Sequence, residues 1–267
     1  MAVEARSKGL DPSLEVEIPQ AEDLADRVEK QLSDWHVEGV AERIREISRR
    51  IESREEVSLF IAKELAREAV TAQEGREMAI ERAVRVGLSV LTEGILVAPI
   101  VGIAGVKINQ NDDGSEYLSL FFNGPIRAAG GTGQAMSVLI ADVVRREFGI
   151  GVYHPTHGEV ERLKEEIPLY RQCQHLQYTP NNEEIEIIYR HCPVCVDGER
   201  TEDQEISGYR NLPRIETNCV RGGVCLVIAE GLCLKAPKLE KHVKKLGLEG
   251  WDFLGDYIRM KKGEGKE

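Results

Sequence analysis

The hydrophobic pattern of this chain changes its period at Gly94. Before that point, four stretches repeat apolar residues every three or four positions, the signature of amphipathic helices. Leu24, Val28 and Leu32 predict a helix over residues 21–32, and Val40, Ile44, Ile47 and Ile51 predict one over 37–51. Val57, Phe60, Ile61 and Leu65 predict a third over 55–70, and Ile80, Val84, Leu88 and Leu91 a fourth over 75–93. After Gly94, residues 95–108 are rich in Val and Ile with glycine breaks, NDDG follows at 111–114, and YLSLFF at 117–122 resumes the apolar run. Two β-type runs across an Asp-Gly turn predict a hairpin. The expected fold is therefore α+β. An extended segment at 1–20 leads into a helical region at 21–93, a smaller α/β part at 94–260, and the start of a charged linker at 261–267.

Beyond the hairpin, Met136, Leu139, Ile140, Val143, Val144 and Phe148 form one apolar helical face. Further helices are expected over 158–169, 183–189, 224–245 with an interruption near Pro237, and 251–260. The turn-rich stretch 191–218 reads as irregular.

Between the second strand and the next helix runs NGPIRAAGGTGQAM, residues 123–136. A helix starting at about Thr132 would turn its unpaired N–H groups toward this loop, a ready site for an anion. Gly130, Gly131 and Gly133 would let backbone approach a ligand, and Arg127 would add a charge-assisted hydrogen bond. A P-loop needs Lys followed by Ser or Thr where Gln134 and Ala135 stand, and GGTGQA lacks the dinucleotide spacing. GGTG does match the GxxG clamp of KH modules, a four-residue signal. A tight strand-to-helix turn that needs positive φ and close packing explains the same glycines. If a phosphate is held here, it belongs to a nucleic-acid backbone rather than to a reacting substrate. A small nucleotide-binding enzyme centred on GGTGQA is a minor third reading.

The stretch TNCVRGG repeats this logic, with Arg221 ahead of two glycines and a helix. Lys235, Lys238, Lys241, His242 and Lys245 recur at three- and four-residue spacing, so they share a helix face that could follow a phosphate backbone. A solvated face is the default explanation of such a stripe. The formal net charge is −11 and aromatics make up 5%. Nucleic-acid binding would thus rest on local patches, and a base-stacking surface is disfavoured.

Six cysteines in a chain with no signal-peptide pattern read as thiols or metal ligands rather than disulfides. Cys192 and Cys195 form a CxxC, half of a zinc knuckle. Its other half would have to come from Cys173 and His175 or from Cys219 and Cys225. A structural zinc at Cys192 and Cys195 competes with packed or surface thiols. His154 and His157 flank Thr156, where capping or a surface role outweighs metal binding. Asp112 and Asp113 are explained by the turn they occupy. No GxSxG, HExxH or convergent carboxylate set is present, so no catalytic residue is assigned. The longest apolar run, 95–106, falls short of the roughly 20 residues of a membrane helix, and a cytoplasmic protein without membrane contact is expected.

Longer motifs carry a resemblance. DPSLEVEIPQAEDLADRVE, LTEGILVAPIVGIAGVKI, FFNGPIRAAGGTGQAMSVLIADVVRREFGI and the stretch from HCPVCVDGERTEDQEISGYRNLPRIETNCVRGG onward occur in this order. From about Gly9 to Leu254 the chain resembles the N-terminal region of the large subunit of archaeal family D DNA polymerase. That resemblance implies a heterodimeric replicative polymerase whose large subunit synthesises DNA on double-psi β-barrels. Its small subunit carries 3′→5′ exonuclease activity. The family's catalytic aspartates, with their expected Mg²⁺, and its clustered zinc modules lie outside the matching region, so no residue here inherits those roles. The chain is shorter than such a subunit and reads as a fragment or one piece of a split subunit. Its implied partners are DNA, the small exonuclease subunit and the remainder of the large subunit. Its own work would be assembly and guidance of DNA, against a competing reading as a protein–protein module that never touches DNA.

Overall fold

The structure is a computed structural model that describes residues 23–35, 37–92 and 98–263. The extended segment expected at 1–20 and the last four residues of the expected linker fall outside these. The helical region holds α1 (Leu24–Gln31), α2 (Val40–Ser48), α3 (Arg54–Ala72) and α4 (Arg76–Leu91). All four match the periodic stretches: α1, α2 and α4 are shorter than expected, and α3 runs one residue further at its start and two at its end. Asp23 accepts from the Asp26 N–H to start α1, and Ser53 accepts from the Glu56 N–H to start α3. Arg45 of α2 reaches back to Asp23 at 2.8 Å, clasping the first two helices.

A short turn of helix, α5 (Ala98–Val101), precedes β1 (Ile103–Gln110) and β2 (Glu116–Phe122). The expected β-run therefore begins later than its composition implied. Arg85, buried in α4, donates to the carbonyls of Ile100 and Ile103 and fixes this helical entry. The hairpin forms as predicted: the Gly114 N–H donates to the Asn111 carbonyl, and the Asp113 carboxylate accepts from the N–H and hydroxyl of Ser115. The strands are antiparallel, with Val106 opposite Leu120. Glu77 of α4 accepts from the Ile108 N–H at 2.8 Å along the outer side of β1.

Next come a 3₁₀ turn (Gly124–Ala129) and α6 (Gly130–Glu147). The predicted apolar face of α6 is only part of what it buries, because Ala135, Val138 and Ala141 are also inside. A helix apolar nearly all round belongs in a core, and α6 lies against α3, α4 and the later helices. Then follow α7 (His157–Cys173), α8 (Asn182–His191), α9 (Gly222–Leu226), α10 (Leu234–Leu246) and α11 (Phe253–Lys261). Thr156 opens α7 with a reciprocal capping box to Glu159, the capping role expected at that site.

Two expectations need correction. Residues 191–218 are not wholly irregular: β3 (Cys195–Gly198) pairs parallel to β2, with Val196 beside Leu120, giving the sheet order β1-β2-β3. The break expected near Pro237 lies earlier, as a π segment (Val227–Cys233) between α9 and α10. A proline ring crowds the carbonyl four residues back, here Cys233, where the π segment ends. Its wider winding absorbs that crowding, so α10 runs through Pro237 unbroken. One hydrophobic cluster extends from Ala25 through α4, β2 and α6 to Tyr257, joining the helical and α/β regions.

Candidate nucleic-acid interface

The glycine turn starts from a backbone only glycine accepts. Gly130 has φ 64° and ψ 166°, and its N–H donates to the Arg127 carbonyl. Gly131 faces the π segment: a Cβ there would lie 2.4 Å from the Glu230 carbonyl oxygen and 2.8 Å from Lys235 Cε. Gly231 answers from the other side, where a Cβ would meet the Ala135 nitrogen at 3.1 Å. These two glycines let α6 and the π segment cross in close contact. The helix begins at Gly130 rather than Thr132, continuing the preceding 3₁₀ turn. All three glycines thus serve turning or packing, since a Cβ at Gly133 would lie 2.8 Å from the Ala129 Cβ. Gly133, with Thr132, lines a cleft of about 850 Å³ whose other walls include Glu52, Ser53, Glu55 and Thr92.

Arg127 is exposed but does not line that cleft. Its guanidinium donates to the His175 carbonyl at 3.0 Å and to the Tyr170 hydroxyl at 2.9 Å. Arg221 departs from expectation. It is 1% exposed, and its backbone N–H, Nε and Nη2 all donate to the Glu166 carboxylate, while Nη1 donates to Asp197 Oδ1 at 2.6 Å. Burial alone would pull this guanidinium down, but Glu166 and Asp197 outweigh it and push the pKa up. No face of Arg221 is left for a phosphate. Arg162, also fully buried, donates to the Cys219 carbonyl and completes a cluster of two arginines and two carboxylates.

The lysine stripe lies on α10, but other groups hold two of its members. Lys238 pairs with Glu55 at 2.7 Å, and Lys245 with Glu56 at 2.5 Å. The hydrogen bond from Lys238 holds the Glu55 carboxyl down at about 2. Half-buried His242 lies in the same seam, its pKa lowered by burial. Lys241 is exposed between them, and half-buried Lys235 lays its stem over Gly131. The sequence thus identified a cationic face without its partners. Glu55 and Glu56 read as ordinary first-turn carboxylates of α3, and Lys245 lies 189 residues beyond Glu56.

The CxxC is packed inside. Cys192 and Cys195 are buried, and burial pushes the Cys192 thiol up to about 12 and the Cys195 thiol higher. Among the described residues, no three His, Cys, Asp or Glu side chains converge to hold a metal ion. Cys173 is exposed on α7, whereas Cys219 and Cys225 are buried. The buried carboxylates are engaged elsewhere: Asp142 accepts from the Trp251 indole, Glu184 from Tyr257, and Glu230 from the Gln177 N–H. No helix among the described residues is long and apolar enough to cross a membrane.

A family model described as DNA polymerase II large subunit DP2, N-terminal, matches residues 1–260. The chain is 54% identical over 270 residues to a DNA polymerase II large subunit of Methanocella arvoryzae, covering 100% of this chain and 24% of that relative. It is 54% identical over 255 residues to the one from Methanococcoides burtonii, covering 96% of this chain and 22% of the relative. With the Picrophilus torridus subunit it shares 50% over 267 residues, covering 100% of this chain and 24% of the relative. The chain therefore spans about a quarter of the length of the curated relatives it matches.

Proposed function

Since this chain belongs to the DNA polymerase II large-subunit family and corresponds to its N-terminal part, we propose that it serves such a polymerase as an assembly and DNA-guiding piece. In this reading, template-directed synthesis takes place elsewhere in the complete subunit, where Mg²⁺ is bound. The 3′→5′ exonuclease sits on the small subunit, which, with the rest of the large subunit, is this chain's protein partner.

One observation carries the DNA part: in a chain of net charge −11, Lys238, Lys241 and Lys245 stand exposed on one helix, and Lys238 pairs with Glu55 of the glycine-turn cleft. Such a face recognises phosphates by charge and not by base, so binding should fall steeply with salt. A protein–protein module without DNA contact is the second reading, favoured by the ion pairs that Lys238 and Lys245 already make inside the chain.

Lys241→Glu separates the two, because Lys241 sits outside those pairs. If the face is used, DNA affinity measured by anisotropy across a salt series should drop, and the slope of log affinity against log salt should shrink by about 1. An unchanged affinity and slope would remove DNA from this face and leave the protein-module reading.

A further inference from the structure

Resting on the DNA reading above, the geometry points to a masked phosphate-binding face: Glu55 and Glu56 occupy Lys238 and Lys245 where DNA phosphates would otherwise sit, and DNA gains the face by displacing them. Two neighbouring carboxylates at the start of α3 each hold one lysine of α10, and those lysines lie seven residues apart, two turns along the same side. Carboxylate and phosphate ask the same thing of an ammonium, a charge-assisted hydrogen bond. The lysines are 44% and 64% exposed and their carboxylate partners 23% and 13%, so water and incoming anions reach each pair from its lysine side.

Ion pairs open to water on their lysine side can exchange partners, and a polyanion gains from the counterions it releases. The backbone cap of α3 runs from the Glu56 N–H to Ser53 Oγ and does not use either displaced carboxylate, while the Ser53 hydroxyl also donates to Glu55 Oε2 at 3.2 Å and would lose that bond in the exchange. Glu55 also walls the cleft beside Thr132 and Gly133, so its release would open the path from the lysine face to the glycine turn. Displacement would also part α3 from α10 at this seam. Binding at the surface would thereby be coupled to the docking of the helical region.

The test is the double variant Glu55→Gln with Glu56→Gln in the full chain, titrated with a fluorescein-labelled primer–template duplex. Affinity should rise roughly threefold to tenfold at low salt, the scale expected for relieving exposed ion pairs. Adding Lys238→Gln and Lys245→Gln should cancel that gain. Thermal melts of each variant identify any loss of fold, and Glu56→Gln alone, the milder change, should still show part of the rise. If affinity is unchanged in the glutamine variants while Lys241→Glu weakens binding, the masking idea fails and the DNA reading stands. A fall in affinity would mean that the pairs support the binding conformation, and it too would overturn masking. If neither the glutamine variants nor Lys241→Glu changes binding, both ideas fall together.

Discussion

The turns at 123–133 and 217–223 look alike as sequence: an arginine, glycines, then a helix. Folding sends them opposite ways. The first leaves Arg127 at the surface, tied by two ordinary hydrogen bonds to Tyr170 and His175. The second draws Arg221 wholly inside, where Glu166 and Asp197 surround it. What separates them is the supply of buried carboxylates, because a charge leaves water only where opposite charge and hydrogen bonds receive it. A basic residue beside glycines is thus no sign of a ligand until its neighbours are known.

That contrast can be broken by mutation. Arg221→Ala would strand two buried carboxylates and should destabilise the fold by about 3–5 kcal/mol in urea unfolding. A loss below about 1 kcal/mol, the scale of an exposed pair, would erase the distinction. Gly131→Ala should come next, at about 1–3 kcal/mol, because the new methyl meets the Glu230 carbonyl and the crossing helices must part. Should it prove neutral, the close crossing would not be what glycine is there for. Arg127→Ala should have the smallest effect, about 0.5–1.5 kcal/mol for hydrogen bonds at the surface. A loss as large as that of Arg221→Ala would show the first turn to be as dependent on its arginine as the second.

The elements with a local cause were legible in the sequence. The helices of the first region followed from the spacing of Val28, Ile44, Ile61 and Ile80, and the hairpin from Asn111 to Gly114. Elements with a distant cause were not. β3 is four residues long and exists because β2 lies beside it. The π segment is buried throughout, so its residues carried no periodic contrast from which to read a winding. Of the candidate site, the cationic face of α10 was visible in its spacing. Its carboxylate partners on α3 were not, and neither were the carboxylates that claim Arg221, which lie 55 and 24 residues away.

The outer flank of β1 has one more consequence. Glu77 takes the Ile108 amide hydrogen, and Arg85 gives a hydrogen to the Ile103 oxygen. A foreign strand arriving there would find two of its docking points already claimed by a helix that cannot retreat without disturbing the core. Growth of the three-strand layer is therefore hindered on that flank, which guards the chain against stacking with copies of itself.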